Sequence, residues 1–185
     1  LGFALFADDG ASAHLVNSGV IHGYIGLTLG QSSRIDNSGS ITGDILFGGG
    51  SDVYDGRTGA LAGYIYANDG NDTIVAGSGT DYIYGGAGND FIYTDDLVTN
   101  STDYVYVSGL SGFGTGIDTV ADFTPGAGGD VAVILTTSGL TSFANVQAAM
   151  TDVDVYTVID LSGGNQLFLY NIDPGQLTAD NFLFL

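Results

Sequence analysis

Four aspartates of this chain, Asp52, Asp72, Asp81 and Asp90, each stand two residues after a glycine (Gly50, Gly70, Gly79, Gly88). Four residues before each comes another small turn former, Gly48, Asn68, Gly77 or Gly86. A carboxylate behind a glycine turn, whose carbonyls are free to point inward, is a set of hard oxygen donors. Nothing basic balances it: the chain holds 21 aspartates, no glutamate, two arginines (Arg34, Arg57), no lysine, and a formal charge of −19. If equivalent turns stack at the spacing of neighbouring strands, about 4.8 Å, two such carboxylates repel by about 3.5 kcal/mol at an effective dielectric of about 20. A divalent cation removes that repulsion. Calcium, with six to eight oxygen ligands in flexible geometry, suits the donors best; magnesium demands a stricter octahedron. Zinc prefers cysteine or histidine, and the chain has no cysteine and only His14 and His22. A metal-free alternative, in which the aspartates merely cap turns, stays open at this point.

The elements that must position these groups follow from two internal periods. NSGVIHGYIG from Asn17, NSGSITGDIL from Asn37 and RTGALAGYIY from Arg57 repeat every 20 residues. From Ile65 the spacing tightens to nine, through Ile74, Ile83 and Ile92. Nine residues hold one short strand and one tight turn, so two repeats make one coil of a flattened solenoid whose isoleucines stack inward. Asp72 and Asp90 become neighbours on one edge, preceded by Asp52 once two extra residues near Arg57 are allowed. The opposite edge takes Asp81, with Asp44 and Asp103 as looser candidates. By the period of two, the neighbours of the inward residues point outward: a tyrosine ladder of Tyr64, Tyr66, Tyr82, Tyr84, Tyr104 and Tyr106, joined by Tyr24, on one face. Val53, Thr73, Val75, Phe91 and Tyr93 occupy the other. The ladder reads as ordinary cross-strand pairing, or as a subunit contact or sugar-binding surface.

GGAGNDFIY, Gly85 to Tyr93, matches the GGxGxDxUx nonapeptide, and AGSGTDYIY and ANDGNDTIV match it with leading glycines replaced. The chain therefore resembles the RTX proteins over about residues 47 to 93, with an echo at Ser101 to Val107, and its last part resembles the C-terminal end of proteins exported by type I secretion. The resemblance implies an all-β fold, a parallel β-roll or β-helix solenoid with RTX calcium turns. It also implies several bound Ca2+ ions, folding outside the cell where calcium is abundant, and the type I machinery as a partner during export. It places a last calcium near Asp118 and Asp122, with Asp130 in the same stretch. ADNFLFL resembles the uncleaved signal of that pathway and reads equally as a closing strand.

Three regions are expected: N-terminal solenoid coils over 1–46, the RTX β-roll over 47–107, and a capping and secretion region over 108–185. In the last, TSFANVQAAM reads as the one short helix, opened by a threonine or serine cap. The charge disfavours nucleic acid and anionic membrane as partners, and no apolar run approaches a membrane span. The start lacks the basic region of a secretory signal. No HExxH, GxSxG or cysteine nucleophile is present, and the two histidines read as surface groups, so no catalytic residue is expected. The expected role is a structural, self-assembling surface-layer, sheath or filament subunit, a homo-oligomer or polymer whose apolar ends, LGFALF and NFLFL, bury one another. The alternatives are a C-terminal calcium and secretion module of a larger secreted enzyme or toxin, and a glycan-binding adhesin module.

Overall fold

Short β-branched and aromatic runs separated by glycine turns cannot bury an apolar face alone, so they stack. The computed structural model describes residues 12–27, 31–94, 101–107 and 116–185, and the backbone of residues 5–6. Sheet I holds eight strands in the order Leu5–Phe6, Ile25–Leu27, Ile45–Phe47, Tyr64–Tyr66, Tyr82–Tyr84, Tyr104–Val107, Val131–Ile134 and Phe182–Phe184, all parallel. Sheet II runs beside it through His14–Asn17, Arg34–Asn37, Val53–Asp55, Thr73–Val75, Phe91–Tyr93, Ile117–Val120 and Gln166–Tyr170. Among the described residues a third sheet has three strands, Val20–His22, Ser40–Thr42 and Ala60–Ala62.

The two periods thus have a structural meaning. A 20-residue coil has three sides and the coils that follow have two. The third side persists to Ala62, so the change of cross-section falls inside the 47–107 region and not at its start. The two residues near Arg57 that interrupt the nine-residue phase belong to this last three-sided coil. His14 and His22 lie on regular strands; His14 meets Asp36 and His22 meets the Thr42 hydroxyl at 2.9 Å.

Inside, Ile25, Ile45, Ile65, Ile83, Val105 and Ala132 form one column in register, and Ile35, Tyr54, Ile74, Ile92, Val120 and Leu169 form the facing one. All twelve are at most 1% exposed, and burial of each large side chain contributes about 1.5–3 kcal/mol against an extended chain. At the C-terminal end an antiparallel hairpin, Met150–Val153 with Tyr156–Asp160, extends sheet II. Helix α1, Phe143–Ala148, packs there: the Ser142 hydroxyl accepts from the Asn145 amide, Val146 is buried, and Phe143 stacks on Phe182 with centroids 5.6 Å apart. Within ADNFLFL, Ala179–Asn181 forms a 3-10 turn and Phe182–Phe184 a closing strand parallel to Val131–Ile134.

Candidate metal centre

The turn from sheet I to sheet II repeats once per coil; an aspartate stands just before the strands that begin at Val53, Thr73 and Phe91, and Asp118 takes the matching register position in Ile117–Val120. Because strands in register stack the turns in register, each carboxylate lies against the amide of the coil before it. Ser33 N donates to Asp52 Oδ1 at 2.5 Å, Asp52 N to Asp72 Oδ1 at 2.7 Å, Asp72 N to Asp90 Oδ1 at 2.9 Å, and Asp90 N to Asp118 Oδ1 at 3.1 Å. Asp118 is therefore a full member of this edge, continuing it past the nonapeptides. All four carboxylates are buried, at 1–7% exposure.

In the first three, one oxygen is thus used and the other is not. Asp52 Oδ2, Asp72 Oδ2 and Asp90 Oδ2 are buried without any hydrogen-bond partner. An acceptor left bare in this way costs about 1–3 kcal/mol, and more when charged. Burial accordingly pushes Asp72 up to about 8, helped by the charges of Asp90, Asp52 and Asp69. Burial likewise raises Asp52 and Asp90 to about 6 and Asp118 to about 7.

The glycines bring the turns together around these oxygens. Gly70 and Gly88 have φ of 143° and 128°, outside the range of L side chains. A Cβ on Gly88 would collide with the Gly70 carbonyl oxygen, one on Gly70 with the Gly50 carbonyl oxygen, and one on Gly86 with that of Asn68. Asn68, itself at φ 70°, ties its amide to the Phe47 carbonyl at 2.6 Å. Carboxylate and main-chain oxygens of consecutive coils therefore crowd one edge with nothing positive among them. Among the described residues no three carboxylate or imidazole groups converge on one point, so a cation here must draw on carbonyls as well. That is the chemistry of a hard, high-coordination ion. The residues present fit calcium, and those that would hold it on this edge are Gly48, Gly50, Asp52, Asn68, Gly70, Asp72, Gly86, Gly88 and Asp90, with Asp118 at its end.

On the opposite edge, Asp81 N donates to Asp103 Oδ1 at 2.7 Å and Asp103 N to Asp130 Oδ1 at 3.0 Å, all three residues fully buried, with Gly77 and Gly79 in the turn before Asp81. Asp103 is therefore a rung beside Asp81. Asp44 is not: it lies one residue out of phase, where Gly43 holds the place of Asp81, and its Oδ1 accepts from Tyr64 N. Asp122 takes another part. Its Oδ1 accepts from the amide and hydroxyl of Thr94, and the same hydroxyl reaches Asp130 Oδ2 at 2.9 Å. Sequence reasoning ranked Asp130 with the second-line residues. Its signal was present, since Asp130 precedes the VAVI strand as Asp81 and Asp103 precede YIY and YVYV, but an interval of 27 residues hides it in the nonapeptide phase.

The tyrosines stack along the roll in two columns. Ring centroids are 4.9 Å apart for Tyr64 and Tyr82, 5.1 Å for Tyr82 and Tyr104, 4.8 Å for Tyr66 and Tyr84, and 3.8 Å for Tyr84 and Tyr106. Most of the planes lie within 21° of parallel, so the rings spend their faces on one another. Asp44 separates Tyr24 from these columns. Phe91 and Tyr93 point outward, both 38% exposed.

Fold and site together define a calcium-binding parallel β-roll. Comparison of structures agrees on the fold: the extracellular lipase LipA from Serratia marcescens aligns with a TM-score of 0.51 at 12% identity, over 89% of this chain and 40% of the lipase. This chain thus spans less than half the length of that enzyme. Residues 64–96, less than a fifth of the chain, match the RTX calcium-binding nonapeptide repeat, in four copies, a repeat that binds Ca2+. No curated sequence matches it. No helix among the described residues is long and apolar enough to cross a membrane.

Proposed function

We propose that this chain is an extracellular β-roll that folds on binding calcium after export by a bacterial type I channel, and that its role is structural. The observation that carries the reading is the aspartate edge: three buried carboxylate oxygens at consecutive coils, without partners in the protein, beside turn carbonyls. An unfolded chain has no such site, so binding free energy is folding free energy. Low cytosolic calcium keeps the chain extended for threading, and external calcium folds it. In this reading the chain itself catalyses nothing, and Asp103, Asp118 and Asp130 extend its metal sites beyond the nonapeptides.

Self-assembly at the cell surface or in the matrix is the finer part of the proposal. Phe91, Tyr93, Ile117 and Tyr170, all at least 38% exposed, lie on three adjacent strands of sheet II and make an apolar surface worth burying. A charge of −19 opposes association until cations neutralise it, which would make assembly depend on calcium as well. Sedimentation with and without calcium tests this: calcium-dependent polymers are expected, and a monomer at millimolar calcium and high protein concentration overturns it.

A second reading is favoured by the size relation to the lipase: the chain is a C-terminal calcium and secretion module of a larger secreted enzyme. An upstream catalytic domain in the same gene would establish that reading and make assembly secondary. The glycan-binding reading has less support, because ring faces stacked on one another are not open to a sugar.

A further inference from the structure

At two buried corners the N-terminal coils join through neutral groups. Where Asp52 stands in its coil, the preceding coil has Ser33, whose hydroxyl accepts from the Ala13 amide at 3.3 Å. At the corner where sheet II ends, Asn17 and Asn37 lie one above the other, 6% and 2% exposed. Asn17 Nδ2 donates to Asn37 Oδ1 at 2.8 Å, and Asn37 Nδ2 donates to the Tyr54 hydroxyl at 3.3 Å and the Ala60 carbonyl at 3.2 Å. Each side-chain oxygen also accepts from the glycine amide two residues on, Gly19 N at 3.1 Å and Gly39 N at 3.3 Å.

The difference is chemical. A carboxamide donates on one side and accepts on the other, so a stack of carboxamides satisfies itself without charge. A carboxylate only accepts, so a stack of carboxylates is left with bare oxygens facing one another. The amide stack also has a built end. Gly56 occupies the next position, and a Cβ there would sit 2.6–2.8 Å from the Tyr54 ring and hydroxyl, so that hydroxyl fills the place of a third asparagine. The buried oxygens without partners begin at Asp52, in the coil that follows.

We infer that the chain has two parts with different metal requirements: the coils formed by the described residues 12–27 and 31–47 hold together without any ion, and calcium governs only the described coils from Asp52 onward. This rests on the calcium reading proposed above. The N-terminal coils would then be a preformed template on which the ion-dependent coils add, since each new coil needs only its predecessor.

Hydrogen exchange of the full chain, followed by mass spectrometry in excess chelator and in calcium, tests this. In chelator, peptides covering 34–47 are expected to exchange at least about a hundredfold more slowly than peptides covering 73–93, and calcium should protect both. Exchange of both at the unfolded rate in chelator overturns the inference and leaves the calcium reading intact. Protection of both in chelator overturns the calcium reading itself. Asn17→Asp supplies a second measurement on the folded, calcium-loaded protein after chelator is added. A carboxylate there cannot donate to Asn37 Oδ1, the bond that joins the two N-terminal coils at this corner, so protection over 34–47 should fall; unchanged protection contradicts the inference.

Discussion

Replacing Asp72 by asparagine separates the two tasks of its carboxylate. The amide oxygen can still accept from Asp52 N, the 2.7 Å bond that joins adjacent coils, whereas the charge is gone. Without calcium the native fold raises Asp72 to about 8. An unfolded aspartate titrates near 3.9, so keeping the proton on at pH 7 costs the ion-free fold about 4 kcal/mol, at about 1.36 kcal/mol per pH unit. The new NH2 group lies where the bare oxygen was, and an unpartnered donor there returns about 1–3 kcal/mol of penalty. Asp72→Asn should therefore stabilise the ion-free protein by about 1–3 kcal/mol. With calcium present the sign reverses. An ionised ligand becomes neutral, a loss of about 1.5–3 kcal/mol, which raises the calcium midpoint about ten- to a hundredfold. Urea unfolding followed by circular dichroism, in chelator with a stabilising osmolyte that populates the ion-free fold and in millimolar calcium, together with a calcium titration, measures both arms. A variant less stable than wild type in chelator would refute the claim that a buried charge opposes ion-free folding. An unchanged calcium midpoint would remove Asp72 from the ligand set.

Acid should replace calcium in part. Asp52, Asp72, Asp90 and Asp118 are all raised above their unfolded values, so the ion-free roll is most stable below about pH 4 and loses that stability as pH rises towards about 8. In calcium-free buffer the β-sheet signal of the C-terminal coils should persist near pH 4 and fade on titration to pH 8; a signal independent of pH contradicts this. Gly88→Ala forces both φ 128° and a collision with the Gly70 carbonyl, and should cost at least about 3 kcal/mol. Gly79→Ala meets only φ 108° in open space and should cost about 1–2 kcal/mol. Equal melting temperatures for the two would discount the close approach of the turns. Ile83→Ala, in the column between Ile65 and Val105, should cost about 3 kcal/mol and lower the melting temperature by about 6–12 °C. A shift under about 2 °C would mean that this column is not the core.

Where a residue type recurs at a fixed interval, its place in the fold was legible. Ile65, Ile74, Ile83 and Ile92 point inward because a nine-residue repeat returns the chain to the same phase of the strand, and Asp72 and Asp90 share an edge for the same reason. The helix at Phe143–Ala148 was legible from its serine cap. What escaped were matters of phase between repeats of unequal length. Asp44 follows Gly43 by one residue and so misses the carboxylate edge. Arg57, aligned by counting with Asn37, instead turns outward to Asp55, and the place beside Asn37 falls to Gly56 and the Tyr54 hydroxyl. Asp130 joins Asp103 across an interval that no count of nines would find.

By itself, then, the sequence determined an all-β solenoid with an acidic glycine edge and a need for cations, because periodicity and charge are local properties that survive without coordinates. Only the tertiary structure decided that Asp118 and Asp130 join the aspartate edges and Asp44 does not, how many sides each coil has, and that the second oxygens of Asp52, Asp72 and Asp90 are left bare. Those depend on the register of one coil against the next, which is set by packing and by backbone hydrogen bonds between coils, such as Thr73 N to the Asp52 carbonyl and Tyr104 N to the Asp81 carbonyl.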